Sequence, residues 1–252
     1  MAAAEFPQRP FIVPPDATEV VLVRHGASAA IRPGEQFPTL DGHGDPALAP
    51  EGVAQADLVA DRLRDQRIDG VFVTGLARTI QTAEPLGRPT TEIPELREVF
   101  LGEWEAGEFR VRISTGDPLA MRVITEQRWD VIPGAETMEA FAARVRAGLE
   151  KVIAATGPGN VAVVFAHGGV IGEACRQATG SDAFAFVIND NCAITRLVRF
   201  ANGRWLLRSF NDTAHLAASS RADGGSPMVQ AAASGSDDRQ VVDQPSGVSP
   251  PR

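Results

Sequence analysis

Two apolar segments of this chain end in the same way, and this repetition is the feature that most restricts the fold. Residues 20–23 (VVLV) lead into Arg-His-Gly at 24–26, and residues 161–166 (VAVVFA) lead into His-Gly-Gly at 167–169. The second segment is continuous and rich in β-branched residues, a pattern typical of a strand buried on both faces of a sheet. The chain is therefore predicted to contain a central sheet that is covered on both sides.

Helical patterns alternate with the strands along the chain. Strands are expected at 19–24, 70–73, 91–93, 161–166, 193–200 and 203–210. Helices are expected at 51–66, at 75–86, over a long amphipathic stretch from Pro133, and from Gly168 onward. Asn202-Gly203 predicts a hairpin turn between the last two strands. This alternation predicts an α/β fold, a three-layer α/β/α sandwich around a mostly parallel central sheet.

The composition changes near both ends of the chain. Residues 1–16 are proline-rich and lack the long apolar region of a signal peptide, so we expect an irregular lead-in. Residues 217–252 are rich in Ser, Gly, Pro and Asp and contain no aromatic residue, so this tail is expected to be disordered. The folded domain is predicted to span residues 17–216.

Charge and cysteine content restrict the partners. The net charge of -8 provides no global basic field, which disfavours nucleic acid and anionic membrane surfaces. No apolar run approaches the length of a membrane span. Cys175 and Cys192 lie in apolar segments and show no metal-type spacing with histidine, which favours a reducing compartment. We expect a cytoplasmic protein without a metal ion.

The strand ends are the candidate functional residues. Ligands of open α/β sheets bind beyond the carboxyl ends of the strands, so His25 and His167 are expected to converge on one pocket. Arg78 lies one turn into the helix that follows the 70–73 strand and can project toward the same edge, where a helix N-terminus favours anions. Each residue alone also has an ordinary explanation, a histidine that ends a strand or an arginine that faces solvent. The matching contexts of the two histidines favour a shared site.

A series of six segments resembles the histidine phosphatase superfamily, also called the phosphoglycerate mutase-like family. The segments are RHG at 24–26, APEGVAQA at 49–56, TGLARTIQTA at 74–83, LREVFLGEWE at 96–105, FAHGGVI at 165–171 and NDTAHL at 211–216. The resemblance covers roughly residues 19–216. It implies a phosphoglycerate mutase-like fold, with a cap insertion at about residues 100–135.

The resemblance also implies roles for individual residues. His25 would be the nucleophile that accepts the phosphoryl group. Arg24, Arg78 and His167 would bind the phosphate oxygens, and Glu98 would be the proton donor. These residue types suit phosphoryl transfer, which depends on positioning and on neutralising the phosphate charge. Two guanidinium groups can each bind oxygens in a bidentate manner, and a carboxylic acid can protonate the leaving oxygen.

The chain departs from the family pattern just after Arg-His-Gly. Ser28 stands where the family commonly has Thr, and can replace it as a hydroxyl contact to the substrate. Ile31 stands where the family commonly has Asn, and its side chain cannot contact phosphate. We therefore expect weaker or rearranged phosphate binding at this position.

Other polar residues near these segments have less specific signals. Glu103 and Glu105 rival Glu98 as the acid, although their segment looks like a turn in which Trp104 packs and both acids face water. His43 lies in the glycine-rich loop DGHGD and could reach the pocket mouth, but a mobile loop histidine is the preferred interpretation. His215 looks peripheral.

The sequence favours a phosphatase that hydrolyses small phosphomonoesters through a phosphohistidine at His25. One alternative is a phosphoglycerate mutase, an isomerase, but segment 105–135 is short and its arginines are scattered: Arg110, Arg112, Arg122 and Arg128. A second alternative, motivated by Ile31, is a catalytically weak phosphate-binding module. No cofactor is implied, and the partner is a small phosphorylated metabolite such as a sugar or glycerate phosphate. The oligomeric state is left open, with a homodimer as one alternative.

Overall fold

The computed structural model describes residues 6–216. The tail predicted at 217–252 lies outside the described residues, as do the first five residues of the lead-in. Residues 6–16 form neither helix nor strand, and the first strand begins at Thr18.

A six-stranded sheet forms the centre of the fold. The strands of the chain are β1 (Thr18–Arg24), β2 (Thr39–Leu40), β3 (His43–Gly44), β4 (Gly70–Val73), β5 (Thr91–Glu92), β6 (Val161–Ala166), β7 (Ile194–Arg199) and β8 (Trp205–Asp212). The order in the sheet is β5-β4-β6-β1-β7-β8, while β2 and β3 pair separately as a short ribbon. β5, β4, β6 and β1 are parallel, and β7 is antiparallel to β1 and β8. The prediction of a mostly parallel sheet is confirmed.

The helices are α1 (Pro50–Leu63), α2 (Ala77–Ala83), α3 (Glu108–Thr115), α4 (Pro118–Glu126), α5 (Met138–Thr156) and α6 (Gly168–Thr179). Four of them lie near the predicted positions, whereas α3 and α4 were not predicted. The helix expected from Pro133 begins later, at Met138, because the Thr137 side chain accepts a hydrogen bond from the Ala140 N–H at 3.1 Å and so caps the helix there. Between residues 6 and 216, no helix has the length and apolarity needed to cross a membrane.

The last strand also begins later than predicted. The strand expected at 203–210 starts at Trp205, because Gly203 adopts φ +85° and belongs to the turn. The Gly203 N–H donates to the Phe200 carbonyl at 2.9 Å, which closes this turn.

Helices cover both faces of the sheet, and the two faces have separate cores. On one face, Val21, Val23, Val163 and Phe165 of the sheet are buried in a cluster with Val59 and Leu63 of α1. The opposite face includes Leu22 and Val164, and packs against α5 and α6 through residues such as Phe141, Val145, Val170 and Ile171. The alternation of side chains along β1 and β6 therefore supplies both cores, and the three-layer prediction is confirmed.

The segment predicted as a cap, at about 100–135, holds α3 and α4. Its residues Ile113, Ala120 and Val123 are buried in the same cluster as the α5 and α6 side chains. The cap lies beside the carboxyl ends of the parallel strands, and its side chains Phe109 and Ile113 line a cleft together with His25, which follows β1.

Candidate active site

A cleft of about 480 Å³ lies between the carboxyl edge of the sheet and the cap. Of the six residues predicted for the site, five line this cleft: Arg24, His25, Ser28, Arg78 and Glu98. The sixth, His167, is fully buried directly behind His25, with the centroids of the two rings 5.3 Å apart. The two strand-end histidines are therefore brought together, as the matching strand ends predict.

Hydrogen bonds from backbone and from one side chain hold His25 in place. Its N–H donates to the Ala166 carbonyl at 3.0 Å, and its carbonyl accepts from Asn191 Nδ2 at 2.9 Å. Its Nδ1 lies 2.8 Å from the Gly26 carbonyl oxygen. Because a carbonyl only accepts hydrogen bonds, Nδ1 carries the proton and Nε2 keeps its lone pair.

The charge environment keeps His25 neutral. Burial, followed by the nearby Arg78 and Arg24, holds the pKa of His25 well below its ordinary value. A neutral imidazole with a free Nε2 lone pair is the nucleophilic form of histidine.

Gly26 is required by a close contact between β1 and α1. A Cβ atom at position 26 would lie 2.5 Å from the Gly52 carbonyl oxygen. The Gly26 N–H also donates to Thr82 Oγ1 of α2 at 3.0 Å. The glycine after the histidine therefore allows the loop beyond β1 to lie against both helices of one layer.

His167 is oriented by a threonine that the sequence did not single out. His167 Nε2 lies 2.9 Å from Thr74 Oγ1, at the end of β4, while His167 Nδ1 is buried without a hydrogen-bond partner. Burial, followed by Arg78 and His25, holds the pKa of His167 well below its ordinary value. His167 is thus a neutral hydrogen-bonding group.

Arg24 and Arg78 place two guanidinium groups beside His25. Arg78 is 7% exposed, and its Nη1 donates to the Gly44 carbonyl at 2.9 Å. Arg24 donates to the Asn189 carbonyl, while its Nε is buried without a hydrogen-bond partner. Burial lowers the pKa of both groups from its ordinary value, yet a guanidinium stays charged at neutral pH. The site therefore holds two partly desolvated positive charges suited to an anion.

Glu98 lies at the N-terminus of α6. One carboxylate oxygen accepts from the Gly169 N–H at 3.2 Å and the other accepts from the Val99 N–H at 3.0 Å. A Cβ atom on Gly169 would lie 2.6 Å from Glu98 Oε1. The second glycine after His167 therefore makes room for the carboxylate in the cleft.

Arg110, on the first turn of α3, lines the cleft from the cap side. It donates to Ser28 Oγ at 3.0 Å and to the Ala29 carbonyl at 2.8 Å. Ile31 is absent from the cleft lining in the described part of the chain, since its side chain packs toward Gly107. The departure from the family pattern at Ile31 therefore lies outside the described cleft lining. The only sequence signal for Arg110 was its membership of the scattered cap arginines.

Two residues expected at the periphery also line the cleft. Glu105 does not face water: its carboxylate accepts from the Gly44 N–H at 2.6 Å and the Leu101 N–H at 2.8 Å. His43 lies edge-on to the Phe100 ring with centroids 5.4 Å apart, and burial lowers its pKa from the ordinary value. The mobile-loop interpretation of His43 is replaced by a position in the cleft wall. Both residues were considered from the sequence, but their positions in the cleft wall depend on packing between distant segments, which no local motif predicts.

Three other expectations concern residues near the site. Trp104 is buried and Glu103 is exposed, as predicted. His215 is outside the cleft lining, and its Nε2 contacts the Cys192 carbonyl at 3.0 Å.

Within residues 6–216, neither cysteine is a reactive thiolate and no cluster of side chains forms a metal site. Burial raises the pKa of both Cys175 and Cys192 to about 12, so both thiols stay protonated. No group of three or more His, Cys, Asp or Glu side chains in this range could hold a metal ion.

The amino-acid sequence is similar to those of a known protein family. The sequence profile of the histidine phosphatase superfamily (branch 1) matches residues 20–213. A probable phosphoglycerate mutase of Yersinia enterocolitica is 28% identical over 209 residues, which cover 79% of this chain and 94% of that protein.

Solved structures show the same fold. A mycobacterial glucosyl-3-phosphoglycerate phosphatase in complex with inorganic phosphate is 25% identical, with a TM-score of 0.62 over 78% of this chain and 98% of that one. A phosphoglycerate mutase of Bacillus anthracis is 21% identical, with a TM-score of 0.65 over 80% of this chain and 96% of that one. The described fold is thus shared by proteins named for hydrolysis and for phosphoryl isomerisation.

Proposed function

Because the chain belongs to the histidine phosphatase superfamily, branch 1, we propose that it is a phosphatase that hydrolyses small phosphomonoesters through a phosphohistidine at His25, without a metal ion. The observation that carries this proposal is the neutral His25 ring. Its Nδ1 donates to the Gly26 carbonyl, so Nε2 has a free lone pair beside Arg24 and Arg78.

In the first step, His25 Nε2 attacks phosphorus. The new N–P bond forms as the ester P–O bond breaks, and the leaving alkoxide oxygen takes a proton from Glu98. Arg24 and Arg78 neutralise the phosphoryl oxygens, which is the main requirement of this chemistry. Division of the reaction into two displacements is the advantage of a nucleophilic imidazole.

In the second step, water attacks the phosphorus of phospho-His25. Glu98, now a carboxylate, accepts the proton of the water, the N–P bond breaks, and inorganic phosphate leaves with His25 neutral again. One proton has passed from Glu98 to the alcohol and one from water to Glu98, so the cycle restores the starting protein.

The buried unpaired atoms suggest how the phosphate is held. Arg24 Nε and His167 Nδ1 both lack hydrogen-bond partners, and an unpaired buried polar atom costs about 1–3 kcal/mol. Phosphate oxygens would satisfy donors of this kind. The N-terminus of α6, whose first residue Gly168 lines the cleft, adds a further site of positive potential for an anion.

A mutase is the alternative that the relatives' names raise. A mutase must exclude water from the phosphoenzyme and return the phosphoryl group to a second hydroxyl of the same molecule. Beyond Arg24 and Arg78, the described cleft lining offers one further arginine, Arg110, to hold the acid group of a phosphoglycerate.

The free thiols support a reducing compartment, and we propose the cytoplasm as the location.

The test is to trap the intermediate by rapid quench with a phosphorus-labelled phosphomonoester. We expect label on the protein that is lost in acid and retained in alkali, and its absence in His25→Ala. His215→Ala is the matched control, because His215 lies outside the cleft lining, and it should keep both label and turnover. Activity that persists in His25→Ala, or is lost with EDTA, would contradict the mechanism.

Phosphorus NMR of 3-phosphoglycerate separates the two enzyme classes. Release of inorganic phosphate supports the phosphatase, whereas accumulation of the 2-isomer supports the mutase. No trapped label and no turnover with any ester would leave only a phosphate-binding module.

A further inference from the structure

The cleft continues beyond the phosphate end as an apolar chamber beneath the cap. The residues that define this chamber are Val99, Leu101, Trp104, Phe109, Trp129 and Ile188. The whole cleft, about 480 Å³, falls within the range of roughly 300–1,000 Å³ typical of pockets that enclose organic ligands. The space is therefore larger than a phosphate group requires, and its additional part has an apolar wall.

Three aromatic side chains make this wall continuous. The rings of Trp104 and Phe109 are stacked with centroids 6.3 Å apart, and Phe109 meets Trp129 edge-on at 5.9 Å. Trp104 and Trp129 are buried, and Arg112 lies over the Trp104 ring on the outer side of the cap at 4.9 Å. Packed aromatic rings of this kind form a preformed surface that suits another flat apolar group.

The positive charges of the cleft are concentrated at its phosphate end. Arg24, Arg78 and Arg110 are the Lys and Arg side chains in the described cleft lining, and all three lower the pKa of His25. Glu105 also lines the cleft, as a carboxylate held by two backbone N–H groups. A second anionic group on a substrate would add to this negative charge, and the described cleft lining has no further Lys or Arg side chain to pair with it, which is unfavourable.

We propose that the chamber binds the alcohol part of the substrate, and that the preferred substrates are phosphomonoesters of uncharged, aromatic-sized apolar alcohols. The inference rests on the proposed phosphatase function and replaces the glycerate phosphates considered from the sequence. The phosphate would bind at His25 and the arginines, while the apolar group would contact Trp104, Phe109 and Trp129.

The substrates for the test must differ in the apolar group but not in leaving-group chemistry. 2-(1-Naphthyl)ethyl phosphate and ethyl phosphate both release a primary alcohol, so their intrinsic reactivities are similar. 3-Phosphoglycerate also releases a primary alcohol, and it carries a carboxylate where the naphthylethyl ester carries an apolar group. We expect kcat/KM for the naphthylethyl ester to exceed that for ethyl phosphate by roughly 10- to 100-fold, and to exceed that for 3-phosphoglycerate by at least as much.

A matched pair of variants connects the preference to the chamber. Ile188 is 38% exposed and lines the chamber, whereas Ile80 is 40% exposed on α2 and lies outside the described cleft lining. Ile188→Ser should lower the ratio of kcat/KM for the naphthylethyl ester to kcat/KM for ethyl phosphate by roughly fivefold, because less apolar surface of the larger ester is buried. Ile80→Ser should leave this ratio unchanged.

The outcomes separate this inference from the proposed function. Equal kcat/KM for all three esters, or a preference for 3-phosphoglycerate, would overturn the apolar-alcohol preference and leave the phosphatase intact. Calorimetric titration with the naphthylethyl and ethyl phosphonates, which cannot be hydrolysed, tests the chamber independently of turnover. Tighter binding of the naphthylethyl phosphonate without hydrolysis of any ester would support the chamber and contradict the phosphatase, while equal binding would overturn the chamber.

Discussion

Arg110 approaches the phosphate end of the cleft from the cap, whereas Arg24 and Arg78 approach it from the sheet and its neighbouring helix. Because Arg110 binds Ser28 Oγ, it occupies the side of the site where Ile31 offers no polar contact. We predict that Arg110→Gln weakens competitive inhibition by inorganic phosphate by roughly tenfold, since a hydrogen bond to a charged group contributes about 1.5 kcal/mol or more.

Arg122→Gln is the control for this experiment. Arg122 lies in the same cap, is exposed, and pairs with Glu126 at 2.6 Å outside the cleft lining. It should leave the inhibition constant of phosphate unchanged. An equal inhibition constant in Arg110→Gln and Arg122→Gln would mean that Arg110 does not contact phosphate.

The two carboxylates of the cleft can be separated by the leaving group. We predict that Glu98→Gln lowers kcat/KM for an alkyl phosphomonoester by about 10²- to 10⁴-fold, the usual contribution of a general acid. The loss in kcat/KM, which reports only the steps up to formation of phospho-His25, should be much smaller with p-nitrophenyl phosphate, because nitrophenolate leaves without a proton. Steady-state kinetics with both esters measures this ratio.

Glu105→Gln is the matched variant, because Glu105 also lines the cleft. It should change the two esters equally, because Glu98 is the main carboxylate partner of both Arg24 and Arg78, whereas Glu105 interacts more weakly and with Arg78 alone. A selective loss of the alkyl ester in Glu105→Gln would identify that residue as the proton donor.

His25 and His167 could be predicted from the strands that they follow, and Arg78 and Glu98 from the family motifs. His25 and His167 each end an apolar run, and the carboxyl ends of parallel strands meet at one edge. Arg110 and Glu105, in contrast, come from the cap, whose position above the sheet depends on packing between distant segments. No local pattern in the sequence reports that packing.

At the scale of elements, two glycines determine how the strand ends meet the helices. A Cβ atom on Gly26 would meet the backbone oxygen of Gly52, and a Cβ atom on Gly169 would meet the side chain of Glu98. The first collision is with backbone that cannot rotate away. The second is with the end of a side chain that can move.

We predict that one alanine variant loses stability and the other loses activity. Gly26→Ala should lower the free energy of unfolding by about 1–3 kcal/mol, as expected for overpacking against a fixed neighbour. Gly169→Ala should change stability little, because the gain in helix propensity in α6, up to about 1 kcal/mol, offsets the displacement of Glu98. The displaced Glu98 should lower kcat for alkyl esters. Urea unfolding and steady-state kinetics measure the two quantities. Full activity in Gly169→Ala would show that the carboxylate does not need its observed position.

Element boundaries were predicted where periodicity determines them, and missed where a cap or turn does. The interior of α5 follows from its apolar stripe, but its start depends on the Thr137 hydrogen bond to the Ala140 N–H. Gly203 likewise belongs to the turn and not to β8, because its positive φ suits a turn. Such local choices are made by single hydrogen bonds and dihedral angles, which apolar patterns do not report.

At the scale of the whole molecule, the site is attached to both hydrophobic cores. The strand β1 that presents His25 contributes Val21 and Val23 to one core and Val20 and Leu22 to the other. His167 follows β6, which contributes to both cores in the same alternating way. The ionisation of the two histidines is therefore connected to the stability of the entire fold.

This connection predicts a pH dependence of stability. Unfolded histidines take up protons below about pH 6.5, whereas the pKa of buried His25 and His167 is held well below that value. The unfolded state therefore binds more protons, and stability rises with pH through this window. We expect the free energy of unfolding to be greatest above pH 6.5 and to fall by about 1 kcal/mol per histidine between pH 6.5 and 5.5, because an unfolded histidine is already half protonated at pH 6.5.

Urea unfolding of wild type and His167→Asn at pH 7.5, 6.5 and 5.5 tests this prediction. Asparagine can still hydrogen-bond Thr74 but cannot take up a proton, so the variant should lose about 1 kcal/mol less than the wild type between pH 6.5 and 5.5. The comparison uses the slope with pH, so a uniform destabilisation by the substitution does not affect it. Parallel slopes in the two proteins would mean that His167 binds its proton equally in the folded and unfolded states, and that the fold does not hold it neutral.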